Sequence, residues 1–197
     1  SHSYRTPAPF RGRNVGLLGV SASGVDIHRE IATEARHVWF CGEAFDDLPA
    51  ERRTAGNRTY SPNVVRFDAD GRLHCVDGTV SEPLDAFVFC TGYHFAFPFL
   101  GELVAVDDNR ISPIYQHVLH IDAPTLALIG LPLRIIPFPL FQMQARWFAK
   151  LLTGDVVLPA SEAMHERENA RHQAFLDAGG KQHNTHLLGA DQIAYFN

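Results

Sequence analysis

Cysteine is scarce in this sequence, and the few cysteines have neither metal-binding nor dithiol spacing. The 197 residues include three, Cys41, Cys75 and Cys90, and no Cys-x-x-Cys occurs. This spacing excludes dithiol redox enzymes and structural zinc sites. Cys41 and Cys90 each end an apolar run, so we expect buried free thiols and a reducing, cytoplasmic location.

Excess positive charge, long apolar runs and repeats are also lacking. The formal net charge is −5 and the pI is about 6.1, which argues against a nucleic-acid surface. No apolar run has the length of a membrane span, and no signal peptide or internal repeat is visible. With 46% hydrophobic and 20% charged residues, the composition is typical of a soluble globular protein with one large or two small domains.

The stretch over residues 15–27 has the pattern of a strand, a glycine turn and a helix. Val15 to Leu18 is a short apolar run, Gly19 follows it, and Ile27, Ile31 and Ala35 then recur every four residues, as on one helix face. Such a unit opens a dinucleotide-binding βαβ fold. The free N–H groups and the positive dipole end of the helix can hold a pyrophosphate there.

The glycine fingerprint itself is incomplete. Gly19 can supply the tight turn and Gly24 the close packing of helix on strand, but Ser21 stands at the middle glycine of Gly-x-Gly-x-x-Gly. Two interpretations are open. One is an ordinary strand–turn–helix, and the other is a nucleotide site in which Ser21, Ala22 and Ser23 line the pyrophosphate.

The rest of the pattern predicts a mixed α/β chain. The expected elements are a first helix reaching about residue 36, a strand over 37–41, a long loop over 42–62, a small antiparallel meander over 64–76, a buried strand over 85–90, a strand over 125–129, helices over 140–152 and 161–178, and an irregular tail. The strand over 125–129 and the helix after it read as a second strand–turn–helix unit.

The helix predicted over 140–152 carries a glutamine, Gln144, on its apolar stripe of Leu140, Trp147, Phe148, Leu151 and Leu152. A glutamine facing the core needs a partner, because an unpaired buried amide is costly. That partner is either a neighbouring backbone group or a bound polar ligand, and the pattern alone favours the backbone group.

The eleven histidines do not form a metal-ligand pattern. His165 and His172 share a helix face and His183 is close to His186, but no cysteine or paired carboxylate completes a set. We therefore expect solvated histidines and no metal site.

Several separated segments resemble the flavin-containing monooxygenases. Tyr4-Arg-Thr-Pro, Phe10-Arg-Gly-Arg and the glycine turn are similar to the entry into that family's pyridine-nucleotide domain. Asp85 to Tyr93 with Phe97-Pro-Phe-Leu100 resembles its C/A-T-G-Y…F-P-F-L segment, and residues 114–118, 128–132 and 144–147 match the run that follows. The S-oxygenating plant branch also has a non-glycine at the position of Ser21.

The resemblance implies a Rossmann-like NAD(P)H-binding domain over residues 1–90, followed over 91–197 by the C-terminal part of an FAD-binding domain. Thr91, Gly92 and Tyr93 would form the return crossing, where glycine tolerates strained backbone close to a cofactor. The resemblance also favours a contact between Gln144 and the flavin.

The implied activity is a flavin monooxygenase that uses NADPH, FAD and O2, similar to N,N-dimethylaniline monooxygenase. A C4a-hydroperoxyflavin would oxygenate a small amine or thioether, and the protein would position the cofactor and exclude water, so no catalytic side chain is expected. Two alternatives are a Baeyer–Villiger or N-hydroxylating flavin monooxygenase, and a non-catalytic NAD(P)-binding module.

The choice between NADPH and NADH depends on residues beyond the second strand. Glu43 lies about twenty residues past the glycine turn, where an acid accepts hydrogen bonds from the ribose 2′-OH and repels a 2′-phosphate. The family usually has an arginine nearby, so we expect weakened NADPH preference and use of NADH as well. Arg52, Arg53 or Arg58 could compensate, with Arg53 taken as the coenzyme ligand.

The sequence has one candidate dinucleotide fingerprint, at Gly19, and it resembles the family's second, pyridine-nucleotide one. The family's first fingerprint, for the FAD pyrophosphate, normally lies upstream. We therefore expect this sequence to be a fragment whose FAD-binding half is missing or is supplied by a partner chain, and we expect the isolated chain to be inactive. The alternative is a genuine short protein that has lost its FAD-binding half.

Overall fold

A computed structural model describes residues 1–196. The chain divides into two compact units, Ser1–Tyr93 and His94–Asn197. The sequence placed this division after residue 90, three residues earlier than the structure does. The assignment of the units to two cofactor domains stays a prediction.

The first unit is an α/β unit built on a five-stranded sheet, in which β1 lies between β2 and β7. The sheet order is β3-β4-β2-β1-β7; the last four strands are parallel, and β3 is antiparallel to β4. A separate hairpin pairs β5 with β6. The elements are β1 (Asn14–Leu18), α1 (Ala22–Ile31), β2 (His37–Cys41), β3 (Thr54–Ala55), β4 (Arg58–Ser61), β5 (Val64–Phe67), β6 (Leu73–Cys75) and β7 (Ala86–Phe89).

The core of this unit lies between α1 and the central strands, as the apolar pattern predicted. Ile27, Ile31 and Ala35 are buried against Val15 and Phe40. Burial of each large side chain contributes about 1.5–3 kcal/mol, which fixes α1 on β1 and β2.

The first helix ends at Ile31, earlier than the expected residue 36. The amide of Glu34 bonds the carbonyl of Ile31, three residues back, at 3.0 Å, and Thr33 Oγ1 donates to the Glu30 carbonyl at 2.7 Å. These bonds replace the α-helical pattern with a tighter turn, and Ala35 is still buried.

Two strand predictions in the first unit need correction. The loop expected over 42–62 contains β3 and β4, and β4 pairs in parallel with β2. The strand expected to be buried over 85–90 is β7, an edge strand whose Phe89 is 58% exposed. The flanking Cys90 is buried, and all three cysteines are free thiols, as predicted for Cys41 and Cys90.

The second unit consists of short strand pairs and helices, with β8 paired to β9 and β10 to β11. Its buried apolar residues include two clusters, one around Ile111 and Ile114 and the other around Leu119 and Met164. The elements are β8 (Ala105–Asp107), β9 (Arg110–Ser112), β10 (Ile114–Tyr115), β11 (Leu119–His120), α2 (Pro137–Leu152), α3 (Ser161–Asp177) and the short α4 (Gln192–Tyr195).

The strand expected over 125–129 is wrong, and so is the second strand–turn–helix unit. Only a single bridge, between Ala127 and Leu119, forms there. Pro124 lies within a turn in which the Leu126 amide donates to the Ala123 carbonyl at 2.8 Å, so the segment pairs for too short a distance to make a strand. The two long helices agree with prediction within a few residues, but the predicted core residue Leu152 is 58% exposed and the tail contains α4.

No helix in residues 1–196 combines the length and the apolar content that crossing a membrane requires.

Candidate functional site

The predicted site residues of the first unit meet at one edge of its sheet. Because β1, β2 and β7 are parallel, Gly19, Glu43 and Thr91, which follow their ends, lie along the same carboxyl edge. The Gly19 amide donates to the Cys41 carbonyl at 2.9 Å, which ties the turn to the neighbouring strand. The chain leaves β1 towards β2, while β7 lies on the other side of β1. Such a switch point is where open α/β sheets bind ligands.

Both remaining glycines of the turn are required by close packing. Gly19 has a φ of +110°, and a Cβ there would overlap the Cys90 carbonyl. A Cβ on Gly24 would overlap the Gly19 carbonyl and lie 3.2 Å from the Phe40 ring. The turn therefore holds α1 against β1 with no space for a side chain at either position.

The serine at the middle fingerprint position fits the turn without strain. Ser21 has φ −84° and ψ −176°, an extended conformation that any residue adopts, and it is exposed. The missing glycine therefore leaves the backbone path of the turn intact.

The N-terminus of α1 presents free donors at this edge. The Val25 amide makes the first helical hydrogen bond, to the Ser21 carbonyl at 3.0 Å. Within residues 1–196, no protein atom accepts a hydrogen bond from the amides of Ala22, Ser23 and Gly24. The Ser21 side chain does not cap them. Three unpaired N–H groups at the positive end of a helix dipole can hold an anion.

The two charged residues predicted to contact the coenzyme differ in their burial and in their partners. Glu43 is exposed and begins a 3₁₀ turn directly past β2. Arg53 is mostly buried: its Nε donates to the Leu48 carbonyl at 2.8 Å and its Nη1 to Asp77 at 2.5 Å. Burial raises the pKa of Asp77, but the bonds from Arg53 and Thr79 outweigh it and hold that pKa at about 2. Since Arg53 already has acceptors inside this unit, its contact with a coenzyme stays a prediction.

The crossing segment has no regular secondary structure. Thr91, Gly92 and Tyr93 are exposed, and Gly92 has a φ of +89°, where a side chain would strain the backbone. Their contact with a flavin stays a prediction.

The pattern analysis missed His28, which braces the first turns of α1. His28 is buried and stacks on the Phe40 ring at 4.1 Å, and its Nδ1 lies 3.1 Å from the Gly24 carbonyl. Burial lowers the pKa of His28, so the ring is neutral at neutral pH. Its place four residues after Gly24, next to Ile27 on the buried face, is the sequence signal for it.

The second unit has a cleft of about 620 Å³ along α2. The cleft is lined mainly by Pro139, Gln142, Met143, Gln144, Arg146, Trp147 and Lys150 of α2, together with Tyr115, Gln116, Val118 and Tyr195.

Gln144 is fully buried at the wall of this cleft and has protein partners. Its Oε1 accepts from the Gly130 amide at 2.9 Å, and its Nε2 donates to Tyr195 Oη at 3.0 Å. Tyr195 in turn donates to the Gln116 carbonyl at 2.6 Å. The backbone partner expected from the sequence is present, while a contact between Gln144 and a flavin stays a prediction.

The prediction of solvated histidines was wrong for two of the four residues named for it. His165 and His183 are partly exposed, but His172 and His186 are buried. His186 lies 2.9 Å from the buried His117, Nδ1 to Nδ1, and burial lowers the pKa of His117 to about 3 and that of His186 to about 4. No group of three His, Cys, Asp or Glu side chains within residues 1–196 is placed to hold a metal ion.

Comparison with known proteins identifies the family. The profile of the flavin-binding monooxygenase-like family matches residues 42–197. The flavin-containing monooxygenase FMO GS-OX-like 2 of Arabidopsis thaliana is 37% identical over all of this chain, which spans 43% of that protein.

Two solved structures extend the comparison to the fold. S-allyl-L-cysteine S-oxygenase from Allium sativum superposes with a TM-score of 0.91 at 35% identity, over 99% of this chain and 45% of that one. Tmm from Pelagibacter sp. strain HTCC7211 superposes with a TM-score of 0.72 at 25% identity, over 87% of this chain and 39% of that one. The chain thus spans less than half the length of these relatives, and it belongs to the flavin-binding monooxygenase-like family.

Proposed function

We propose that this chain carries the NAD(P)H site and part of the FAD site of a monooxygenase that uses O2 to oxygenate soft sulfur or nitrogen centres. The observation that carries the proposal is the α1 N-terminus, where three unpaired amides face the carboxyl edge of the sheet. Gly19 and Gly24 let a pyrophosphate approach these amides closely.

In this proposal the protein binds and orients, and the cofactors supply the redox chemistry. NADPH supplies a hydride and FAD activates O2 when both are bound. The amides of Ala22, Ser23 and Gly24 fix the coenzyme pyrophosphate, and Gln144, with Tyr195, holds the wall of the cleft in the second unit. A cytoplasmic location is part of the proposal, because three free cysteines suit a reducing compartment.

A thioether is the favoured substrate class. Support comes from the Allium sativum relative, which is an S-allyl-L-cysteine S-oxygenase. The competing functions are a Baeyer–Villiger or N-hydroxylating flavin monooxygenase and a non-catalytic NAD(P)-binding role.

A chimera tests the proposed function. Residues 1–197 replace the matching 45% of the Allium sativum S-oxygenase, and the products from a thioether, a tertiary amine and a ketone are measured with NADPH, FAD and O2. We expect NADPH-dependent sulfoxide as the main product. An ester from the ketone as the main product would favour the Baeyer–Villiger alternative. Coenzyme binding without any product from a folded, flavin-loaded chimera would favour the non-catalytic one.

Coenzyme choice gives a second prediction. Glu43→Ala should raise the affinity for NADPH relative to NADH by about 10-fold, because a carboxylate just past β2 repels a 2′-phosphate and bonds a 2′-OH. Calorimetric titration of both coenzymes measures the ratio. Glu51→Ala removes an exposed acid from a neighbouring 3₁₀ turn and is the matched control. An unchanged ratio in Glu43→Ala, or an equal change in Glu51→Ala, would remove Glu43 from the coenzyme site.

A further inference from the structure

A separate cavity of about 220 Å³ lies within the second unit, between β9, α3 and the segment before α4. Basic and polar side chains line most of it, among them Arg110, Glu168, Arg171, His172, Thr185 and His186. It shares no lining residue with the cleft along α2.

The charges around this cavity leave one cation without a counterion. The Glu168 carboxylate accepts from the Gln116 amide at 3.0 Å and from Arg171 Nε at 2.9 Å, so Glu168 and Arg171 neutralise each other. Arg110, on β9, pairs with Asp107 through its backbone, but its side chain makes no hydrogen bond or ion pair within residues 1–196. An unpaired guanidinium beside a small cavity favours an anion, and its fork of donors matches a carboxylate or a phosphate.

His172 is a second polar group in this cavity that lacks a close partner. It is buried, with a relative exposure of 8%. Within the described residues its one polar contact is long, 3.5 Å from Nδ1 to Thr185 Oγ1, and that hydroxyl donates to the Gln182 carbonyl at 2.6 Å. A buried imidazole in this state can donate to a ligand that enters the cavity.

Both ring nitrogens of His186 already have hydrogen-bond partners within the protein. Its Nε2 accepts from the Ile111 amide at 3.0 Å, so in the neutral ring Nδ1 carries the proton and donates to His117 Nδ1 at 2.9 Å. Arg110 therefore remains as a charged group, and His172 as an imidazole, that can serve a ligand.

We propose that this cavity is an anion site that takes a small oxyanion, a carboxylate or phosphate group, with Arg110 as its ion-pair partner and His172 as a hydrogen-bond donor. The volume of about 220 Å³ is large enough for such a group. The site is independent of the proposed monooxygenase activity.

Binding at this site is coupled to protonation of His172. Burial lowers the pKa of His172, and the positive charges of Arg110 and Arg171 lower it further. An anion offsets those charges and raises the pKa, so by linkage the anion binds more tightly as the pH falls. The other titratable groups around the cavity are His117, His165, Glu168 and His186, with Asp122 paired to His165.

Histidine-selective NMR of the full chain tests the site. Acetate and inorganic phosphate are titrated separately, with chloride at matched ionic strength as the blank. We expect saturable shifts of the His172 and His186 ring signals and no shift of His28, which lies in the other unit. Acetate should bind more tightly at about pH 6 than at about pH 8, where its own charge is constant. Saturable shifts with phosphate but not with acetate would restrict the proposed ligand class to phosphate groups.

Variants give the decisive comparison. Arg110→Gln should weaken acetate binding at least about 10-fold. Arg134→Gln, an exposed arginine outside the cavity, should leave it unchanged. Arg110→Lys keeps the charge and should retain saturable binding. Shifts equal to those in chloride would overturn the proposal, and so would equal affinity in folded Arg110→Gln.

Discussion

Replacing Gly24 by valine should weaken binding of NADPH and NADH at least about 100-fold, the largest effect we expect from a single substitution. A Cβ at this position overlaps the Gly19 carbonyl and contacts the Phe40 ring. The added side chain therefore moves the first turn of α1 away from β1, and the three free amides no longer converge on one anion. Overpacking of this kind also lowers the free energy of unfolding by about 1–3 kcal/mol.

Calorimetry with each coenzyme measures the loss, at a temperature where circular dichroism shows the variant to be folded. Gly24→Ala adds one methyl group at the same overlap and should produce a smaller loss of the same kind. Asp26→Ala, at an exposed position in the next turn, is the matched control and should bind with nearly unchanged affinity. Equal affinity in wild type and folded Gly24→Val would place the coenzyme elsewhere.

The α/β architecture of the first unit could be predicted because its central strands are short apolar runs bounded by glycine. β2 runs over the expected residues, and β1 begins one residue earlier than its apolar run. β4 could not be predicted, because Arg58-Thr-Tyr-Ser has no apolar alternation. It forms a strand through its pairing with β2, which leaves Ser61 fully buried. Tertiary pairing here overrides local propensity.

The second unit was harder to predict, because apolar residues there are buried without forming strands. Leu128 packs against the cluster around Ile111 and Ile114 from a turn-rich segment, so a strand-like apolar run was misassigned. The burial of His186 depends on His117 and on the Ile111 amide, which come from distant parts of the chain. No local pattern reports such partners.

At the candidate nucleotide site, too, some features could be predicted from local sequence and others depend on distant partners. Gly19 and Gly24 were identifiable because the positive φ of Gly19 and the contact of Gly24 with the Gly19 carbonyl arise within the turn itself. The ion pair of Arg53 with Asp77 was not, since it joins a 3₁₀ turn to the turn that follows β6. Residues whose partners are local were placed from the sequence, and those whose partners come from a distant turn were not.

The 197-residue chain alone should bind a nicotinamide coenzyme but turn over a thioether at least about 1,000-fold more slowly than a full-length relative. Within residues 1–196, only the junction of β1 and α1 joins a parallel strand through a glycine turn to a helix. The proposed activity uses two dinucleotides, FAD and NADPH, and the relatives that this chain matches are more than twice as long. The α2 region exposes large apolar side chains, with Phe138 at 81% and Ile136 at 54%, which also predicts aggregation.

The test is to purify the 197-residue chain, add FAD and NADPH, and follow NADPH oxidation and sulfoxide formation with a thioether substrate. The full-length Allium sativum S-oxygenase, assayed under the same conditions, is the positive control. Calorimetry with NADPH on the same sample checks that the chain is folded, since the α1 site lies within the first unit. Stoichiometric FAD binding with sulfoxide turnover near that of the control would contradict this account, because one glycine turn would then suffice for both cofactors.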